Sequence, residues 1–274
     1  MVEGEHPYHS KTMSEVVVRK QLLGILFKYG LLPGTSLLVL YLMMRDSNGF
    51  KRFQRRIFAW IYHYFSSNRF RKVLDPIKEE LFLSLNGLQS KVPGLASNGQ
   101  LRILEIGVGD GSNLKFYPKG TLLTSVEPNP YFEKMFETNS LDFPGIVIDR
   151  FITGSAEDMS DVPSSSIDVV VSTHVLCSVE SVEDCLREIT RVLVPEGKFY
   201  YLEHIAYQSC RASYLLQLIV EPFWKLFSDG CRLTQSPDKI TNYVGLRSEK
   251  NDRIFVEGLF LVMRPHLVGI SVKT

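Results

Sequence analysis

The sequence predicts an α/β fold, a doubly wound, mostly parallel sheet with a helical extension on its N-terminal side. Three observations predict it. Apolar strand-like runs recur from Leu101 onward, acids close the first two of them, and the first opens directly into a turn holding three glycines. The length of 274 residues suits one such domain with added segments and is too short for two full domains. With 45% hydrophobic residues a substantial core is available, and a formal net charge of +1 excludes the global basic excess of a nucleic-acid binder. The chain divides into residues 1–50, a polar tail and apolar stretch; 51–100, basic amphipathic helices and a linker; and 101–274, the α/β domain.

Residues 21–44 are apolar with one charge, Lys28, and Pro33-Gly34 interrupts them. A bilayer-spanning helix needs about 20 apolar residues, more than the uncharged run from Tyr29 to Met44 supplies. Three arrangements fit: a spanning helix with Lys28 snorkelling, an interfacial anchor bent at Pro33-Gly34, and a soluble helix covering the domain. A cleaved signal peptide fits poorly, because no A-x-A-like site comes after Met44. Between Arg45 and Lys72 stand eight Lys/Arg and one Asp. There Phe53, Ile57, Trp60, Ile61 and Tyr64 recur at helical spacing, largely opposite Lys51, Arg52, Arg55 and Arg56. Aromatics backed by cations suit a helix at a headgroup surface, as well as an ordinary helix packed on the core. Residues 16–64 are therefore the expected membrane contact, with the rest of the chain on the cytosolic side. Another helix is expected over residues 72–85, where Leu74, Ile77, Leu81 and Leu85 share a face, and the glycines and proline of 86–100 mark a linker.

The four cysteines, Cys177, Cys185, Cys210 and Cys231, form no C-x-x-C pair and have no helically spaced histidine pair beside them, so neither a metal site nor a disulfide framework is expected. They read as reduced thiols of a cytosol-facing domain, Cys185 and Cys210 as small buried hydrophobes.

Leu101-Arg102-Ile103-Leu104-Glu105-Ile106 reads as a strand, and Gly107-Val108-Gly109-Asp110-Gly111-Ser112-Asn113 as a turn from that strand into a helix. Glycines there permit positive φ and let a ligand approach the backbone. The pattern is E-x-G-x-G-x-G, which departs from the G-x-G-x-x-G of dinucleotide folds, and Glu105 would repel a pyrophosphate. An acid at that place attracts a cation, and S-adenosylmethionine carries an ammonium and a sulfonium. Leu122-Leu123-Thr124-Ser125-Val126 is a second strand ending in Glu127-Pro128-Asn129, where a carboxylate can accept from both hydroxyls of a ribose. After the apolar run 146–152, Ala156 and Glu157 are expected to meet the adenine. Residues 166–174 form an unalternating run that suits a parallel strand buried on both faces, with Thr173-His174 opening on the crevice. A helix over 182–194, a turn at Pro195-Glu196-Gly197 and a strand over 198–202 ending in Glu203-His204 complete the series. The cofactor-binding set is Glu105, Gly107, Gly109, Gly111, Asn113, Glu127, Pro128, Ala156, Glu157 and Thr173.

Four local segments narrow this further: Leu114-Lys115-Phe116-Tyr117-Pro118, Val175-Leu176-Cys177-Ser178-Val179, Leu226-Phe227-Ser228-Asp229-Gly230-Cys231-Arg232-Leu233-Thr234, and Met263-Arg264-Pro265-His266-Leu267-Val268-Gly269. With them the chain resembles a Rossmann-like class I methyltransferase of the type 11 sort. It is most similar to the methyltransferase-like protein 7 group, the membrane-associated thiol S-methyltransferases. The resemblance covers residues 101–273. Glu127 stands where that family usually has Asp, and His174 where an apolar residue is expected. The resemblance implies S-adenosylmethionine as cofactor, in-line methyl transfer to a small lipophilic thiol, and residence at the endoplasmic reticulum or lipid droplets. A free thiol is only slightly ionised at neutral pH, so a base would help; His204, His174 and Asp229 are the candidates, each with a structural reading beside it. The apolar residues 207–226 are expected to form helices over the crevice. A quinone or lipid acceptor, or a membrane-surface protein that keeps the fold without catalysis, are the alternatives.

Overall fold

The structure, a computed structural model, describes residues 48–274, the side chains of 65–70 excepted. The apolar stretch 21–44 lies outside the described residues. The chain divides into two compact units, Met1–Phe53 and Gln54–Thr274. Of the first, the described part is the opening of helix α1 (Asn48–Ile61). The second contains the sheet together with every helix after Gln54, so the basic helices and the α/β domain fall in one unit from that residue on. Among the described residues no helix is long and apolar enough to cross a membrane.

Helix α1 continues through a π-helical turn, Tyr62–Ser66, into α2 (Ser67–Phe82). The helix expected over 72–85 thus begins earlier and tightens at its end into a 3₁₀ turn, Leu83–Gly87. Of its expected face, Leu74, Leu81 and Leu85 are buried and Ile77 is half-buried. Short α3 (Pro93–Ser97), with Pro93 in its first turn, lies in the linker.

Seven strands come next: β1 (Leu101–Ile106), β2 (Thr121–Glu127), β3 (Val147–Thr153), β4 (Ile167–Thr173), β5 (Leu193–His204), β6 (Leu246–Phe255) and β7 (Pro265–Lys273). They make one sheet in the order β3-β2-β1-β4-β5-β7-β6. The first five are parallel, and β7 inserts antiparallel between β5 and β6. Between them run α4 (Glu133–Ser140), α5 (Val182–Val192), α6 (Arg211–Phe227) and α7 (Asp238–Thr241).

The lack of apolar/polar alternation in β4, and in Ile103-Leu104 of β1, arises from two-sided burial. Successive side chains point to opposite faces, so Ile103 joins the cluster of Leu74, Phe82 and Leu85, while Leu104 joins that of Leu186, Ile189 and Val192 on α5. Helix α5 is started by Ser181, whose hydroxyl accepts from the Asp184 N–H. The strand order reverses between β1 and β4, which leaves a crevice beyond their carboxyl ends.

Three local expectations change. The glycine turn leads into a single 3₁₀ turn, Leu114–Phe116, where a helix was expected, because Pro118 and the positive-φ Gly120 leave no room for a longer one before β2. The turn at Pro195-Glu196-Gly197 survives as an irregularity inside β5, with Glu196 at φ 61 and the pairing to β4 shifting there. The last two strands carry no clear sequence signal of their own. β6 is an edge strand, mostly exposed and charged, and β7 is read only against its neighbours.

Candidate active site

The glycine turn and the ends of β1, β2, β4 and β5 surround a cavity of about 240 Å³. Gly107, Gly109, Glu127, Pro128 and Thr173 line it, as do all three catalytic candidates, His174, His204 and Asp229. Glycine is required at two points for different reasons. Gly107 has φ 60, and a Cβ there would meet Val175 Cγ2 at 2.4 Å. Gly109 has φ 54 and lines the cavity, where a Cβ would make only an ordinary contact, 3.7 Å from Tyr62 Cε1. Gly107→Ala is therefore expected to cost about 2 kcal/mol or more of stability, from the left-handed backbone and the overlap together. Urea denaturation checks this; an unchanged midpoint would show that Val175 yields freely.

The two acids take different positions. Glu127 lies on the cavity wall, its Oε2 accepting from Gly109 N at 3.0 Å and its Oε1 from Asn129 N at 2.9 Å. Glu105 is buried behind the wall, accepting from Asn113 Nδ2 and Tyr117 OH, both at 2.7 Å. Asn113 also donates to Thr173 Oγ1 at 3.0 Å, and its own Oδ1 is buried with no partner among the described residues. The Glu105 carboxylate thus braces the turn between β1 and β4, and it does not line the cavity as a cation-binding acid would. Burial pushes both Glu105 and Glu127 up to about 7. Gly111 is a packing residue, since a Cβ on it would lie 2.8 Å from Leu114 Cδ1.

Ala156 and Glu157 are not among the lining residues. Ala156 is in the core, and the Glu157 carboxylate is occupied by Ser155 Oγ and the Ser181 N–H, where it helps hold the start of α5. An acid so engaged has little left for an adenine amine.

Several lining residues come from the front helices; of them the sequence marked only Ile61, as part of a membrane-facing set, and Leu74, as part of a buried face, neither as a site residue. Phe58, Ile61 and Tyr62 of the first helix and turn contribute an aromatic and aliphatic wall, and Arg71 and Lys78 of α2 bring cations. Arg71 and His63 both contact Asp110 Oδ2 at 3.1 Å, joining α2 and the π-helical turn to the glycine turn. Lys78 donates to Ser112 Oγ at 3.3 Å, and burial lowers it to about 8. Periodicity announces Leu74 and Leu81 on α2, while on the first helix the periodic set Phe53, Ile57, Trp60, Ile61 and Tyr64 is the exposed one, so neither pattern singles out the cavity.

The catalytic candidates are each engaged. His174, at φ 58, faces His266 with 2.9 Å between their Nε2 atoms. Burial holds both below the ordinary imidazole range, His266 at about 4, so both are neutral at pH 7. Asp229 accepts from Asn129 Nδ2 at 3.1 Å, with Arg55 Nε at 3.9 Å, and burial raises its carboxyl. His204 ends β5 with Nε2 2.9 Å from Cys231 Sγ. Cys177 joins them: the three ligating atoms lie within 4.8 Å of one another and all three residues are buried. Of the other cysteines, Cys185 is in the core as expected, whereas Cys210 is exposed at the start of α6, its sulfur accepting from Ser213 Oγ.

The roof is α6, as expected for an apolar segment over the crevice. Trp224 and Phe227 face the cavity, and buried Gln217 pins the helix, donating to Val262 O and accepting from Tyr207 N, both at 2.8 Å.

S-adenosylmethionine fits this donor set. Its ribose diol needs a carboxylate with spare lone pairs, which Glu127 retains beyond its two backbone contacts, and Gly109 leaves the backbone approachable.

Comparison with known proteins agrees. A methyltransferase domain family matches residues 104–201. Thiol S-methyltransferase TMT1A of Homo sapiens is 38% identical over 196 residues, which cover 72% of this chain and 78% of that protein. Thiol S-methyltransferase TMT1B of Homo sapiens is 34% identical over 200 residues, covering 73% and 80%. A SAM-dependent methyltransferase from Thermotoga maritima shares the fold at 17% identity, with a TM-score of 0.52 over 80% of this chain and 99% of that one. The chain belongs to the thiol S-methyltransferase family of S-adenosylmethionine-dependent methyltransferases.

Proposed function

We propose that this S-adenosylmethionine-dependent methyltransferase acts on the sulfur of small lipophilic thiols at a membrane surface. One observation carries the acceptor reading. The cavity that holds Glu127 at one side is walled elsewhere by Phe58, Phe132, Trp224 and Phe260, an apolar lining that suits an alkyl or aryl thiol. The names of the relatives support the same acceptor. When bound, S-adenosylmethionine supplies a methyl group on a positively charged sulfur. The chain's own part is to orient the ribose through Glu127, to present the acceptor in line, worth roughly 7–11 kcal/mol in such reactions, and to exclude water beneath α6. With labelled donor, the full chain is expected to methylate a small alkyl thiol well above a lipid extract or a quinone. Preferential labelling of the lipid or quinone would overturn the thiol reading.

The membrane reading is supported by exposed apolar side chains in two places. On the first helix and turn Ile57, Trp60 and Tyr64 face solvent beside Arg55 and Arg56, and on α6 Ile219 and Phe223 do so. The proposed location is the endoplasmic reticulum or lipid droplets, catalytic unit toward the cytosol. Fractionation should place the full chain with membranes, and a chain beginning at Phe50 tests whether the front residues are needed. Recovery of both forms in the soluble fraction would end this part of the proposal.

Ionisation of Glu127 makes cofactor binding pH-dependent. Burial raises its carboxyl to about 7 and Asp229 adds to the rise, while the Asn129 and Gly109 N–H groups and Arg55 oppose it. Ribose hydroxyls donate to the ionised form, so affinity for S-adenosylhomocysteine is expected to increase from about pH 6 to about pH 8, with a proton released on binding. The empty protein responds oppositely. A raised carboxyl contributes stability that is fully present below its ordinary 4.5 and is lost as pH rises through about 7. Calorimetry in buffers of different ionisation enthalpy measures the proton directly; zero release near neutrality would mean Glu127 does not meet the ligand.

A further inference from the structure

We propose that Cys177, His204 and Cys231 form a zinc site whose open fourth position takes the sulfur of the acceptor thiol. The proposal rests on the thiol reading above and deepens it. Two sulfurs and one imidazole nitrogen converge within 4.8 Å, and all three residues lie on the cavity wall. Zinc bonds of about 2.3 Å to sulfur and 2.0–2.1 Å to nitrogen place tetrahedral ligands about 3.5–3.8 Å apart. The observed spread, from 2.9 Å between His204 Nε2 and Cys231 Sγ up to 4.8 Å, closes on that geometry with shifts of about an ångström. Soft thiolates with imidazole select zinc over magnesium or calcium. Two thiolates also balance the charge of the dication, so the burial of the cluster is compatible with a bound ion.

Hydrogen bonds tie together the segments that carry the cluster. Cys177 sits in the turn after β4, where the Glu203 carboxylate holds the N–H groups of Val175 and Leu176, both at 3.2 Å. His204 is the next residue along β5 from that same Glu203. The loop with Cys231 is tied to the first by Arg232 N, which donates to Cys177 O at 2.8 Å. Structural zinc sites close with four protein ligands, whereas three with an open position is the catalytic arrangement. Here all three ligands line the cavity that the acceptor must enter.

The chemistry supplies what the cavity otherwise lacks. A free thiol with a pKa of about 8.5 is mostly protonated at neutral pH, whereas a metal-bound thiol is deprotonated outright. His174 is held by His266 and Asp229 by Asn129, so neither is free to take that proton. The acceptor's sulfur takes the fourth position as its S–H proton passes to water. A sulfur lone pair then forms the new S–CH₃ bond, while the donor's C–S bond breaks and leaves its electron pair on the donor sulfur. The product is a neutral thioether, a weaker ligand, and water displaces it.

The test uses the full chain purified without chelator. Elemental analysis should find about one zinc per chain, and about none in the Cys177→Ser, Cys231→Ser double variant. Calorimetry with S-adenosylhomocysteine shows whether that variant remains folded. Should it not fold, the parent protein answers alone. Stripped with chelator and reloaded with cobalt(II), it should show thiolate-to-cobalt absorption and tetrahedral d–d bands that shift when an alkyl thiol is added. Thiol methylation by protein that holds no stoichiometric metal and gives no cobalt spectrum would overturn the metal site and leave the thiol reading intact. A cobalt spectrum indifferent to thiols would overturn the acceptor's place on the metal. A Cys177–Cys231 disulfide in the active, unreduced protein, seen by mass spectrometry, would likewise overturn the site. Bound metal and cofactor with no thiol methylated would instead sink the thiol reading.

Discussion

Glu127→Ala is expected to lower affinity for S-adenosylhomocysteine by about a hundredfold or more while the protein stays folded. Two hydrogen bonds from ribose hydroxyls to a carboxylate contribute about 1.5–3 kcal/mol each, and every 1.4 kcal/mol is tenfold in affinity. The same oxygens accept from Gly109 N and Asn129 N, so truncation also frees the backbone on both sides of the rim. Glu127→Gln keeps one acceptor oxygen and loses the charge, and about a tenfold loss is expected of it. Glu127→Asp keeps the charge at a shorter reach and should fall between the parent and Gln. Calorimetry gives the affinities, and circular dichroism confirms the fold. Full binding by the alanine variant would remove Glu127 from the cofactor site.

The order of these three variants distinguishes a ligand-facing acid from a bracing one, and the two acids of this site differ in that respect. In the sequence Glu105 and Glu127 look alike, each the acid at or near the end of an apolar run. The difference lies in Asn113 and Tyr117, which come back to cover Glu105 and take both its oxygens. Such long-range closure has no local signature. What was legible is what a parallel strand and its adjoining turn encode within a few residues: two-sided burial in β4, the glycines at positive φ, the acid that ends β2. The cluster of Cys177, His204 and Cys231 was illegible for the opposite reason. Its members stand 27 residues apart along the chain, far from any C-x-x-C spacing, and meet only because β4 and β5 are neighbours and the loop after α6 returns over them. The cavity's cations, Arg71 and Lys78, were hidden similarly. They lie on a helix whose periodicity announces Leu74 and Leu81 and is silent about the side that meets the glycine turn.

Glu203→Ala is expected to be the most destabilising single change near the site, at about 3–5 kcal/mol. Glu203 is fully buried in β5, and burial raises its carboxyl. Its Oε1 accepts from Ser172 Oγ at 2.5 Å and Val175 N at 3.2 Å, and its Oε2 from Leu176 N at 3.2 Å. Alanine leaves two N–H groups and a hydroxyl in a dry place, each costing about 1–3 kcal/mol when unpaired, and opens a cavity besides. Urea denaturation measures the loss. Glu203→Gln separates stability from site geometry. It keeps the volume and one acceptor but turns an amide toward a backbone N–H, so the turn bearing Cys177 should loosen at a cost of about 1–2 kcal/mol. If that turn positions a metal ligand, the folded Gln variant should bind cobalt about 10–100-fold more weakly, the usual penalty for disturbing a ligand's support, with S-adenosylhomocysteine affinity nearly unchanged. A Gln variant that loses both affinities equally would place Glu203 in the general fold of the crevice, and an alanine variant as stable as the parent would mean that water replaces the carboxylate at all three donors.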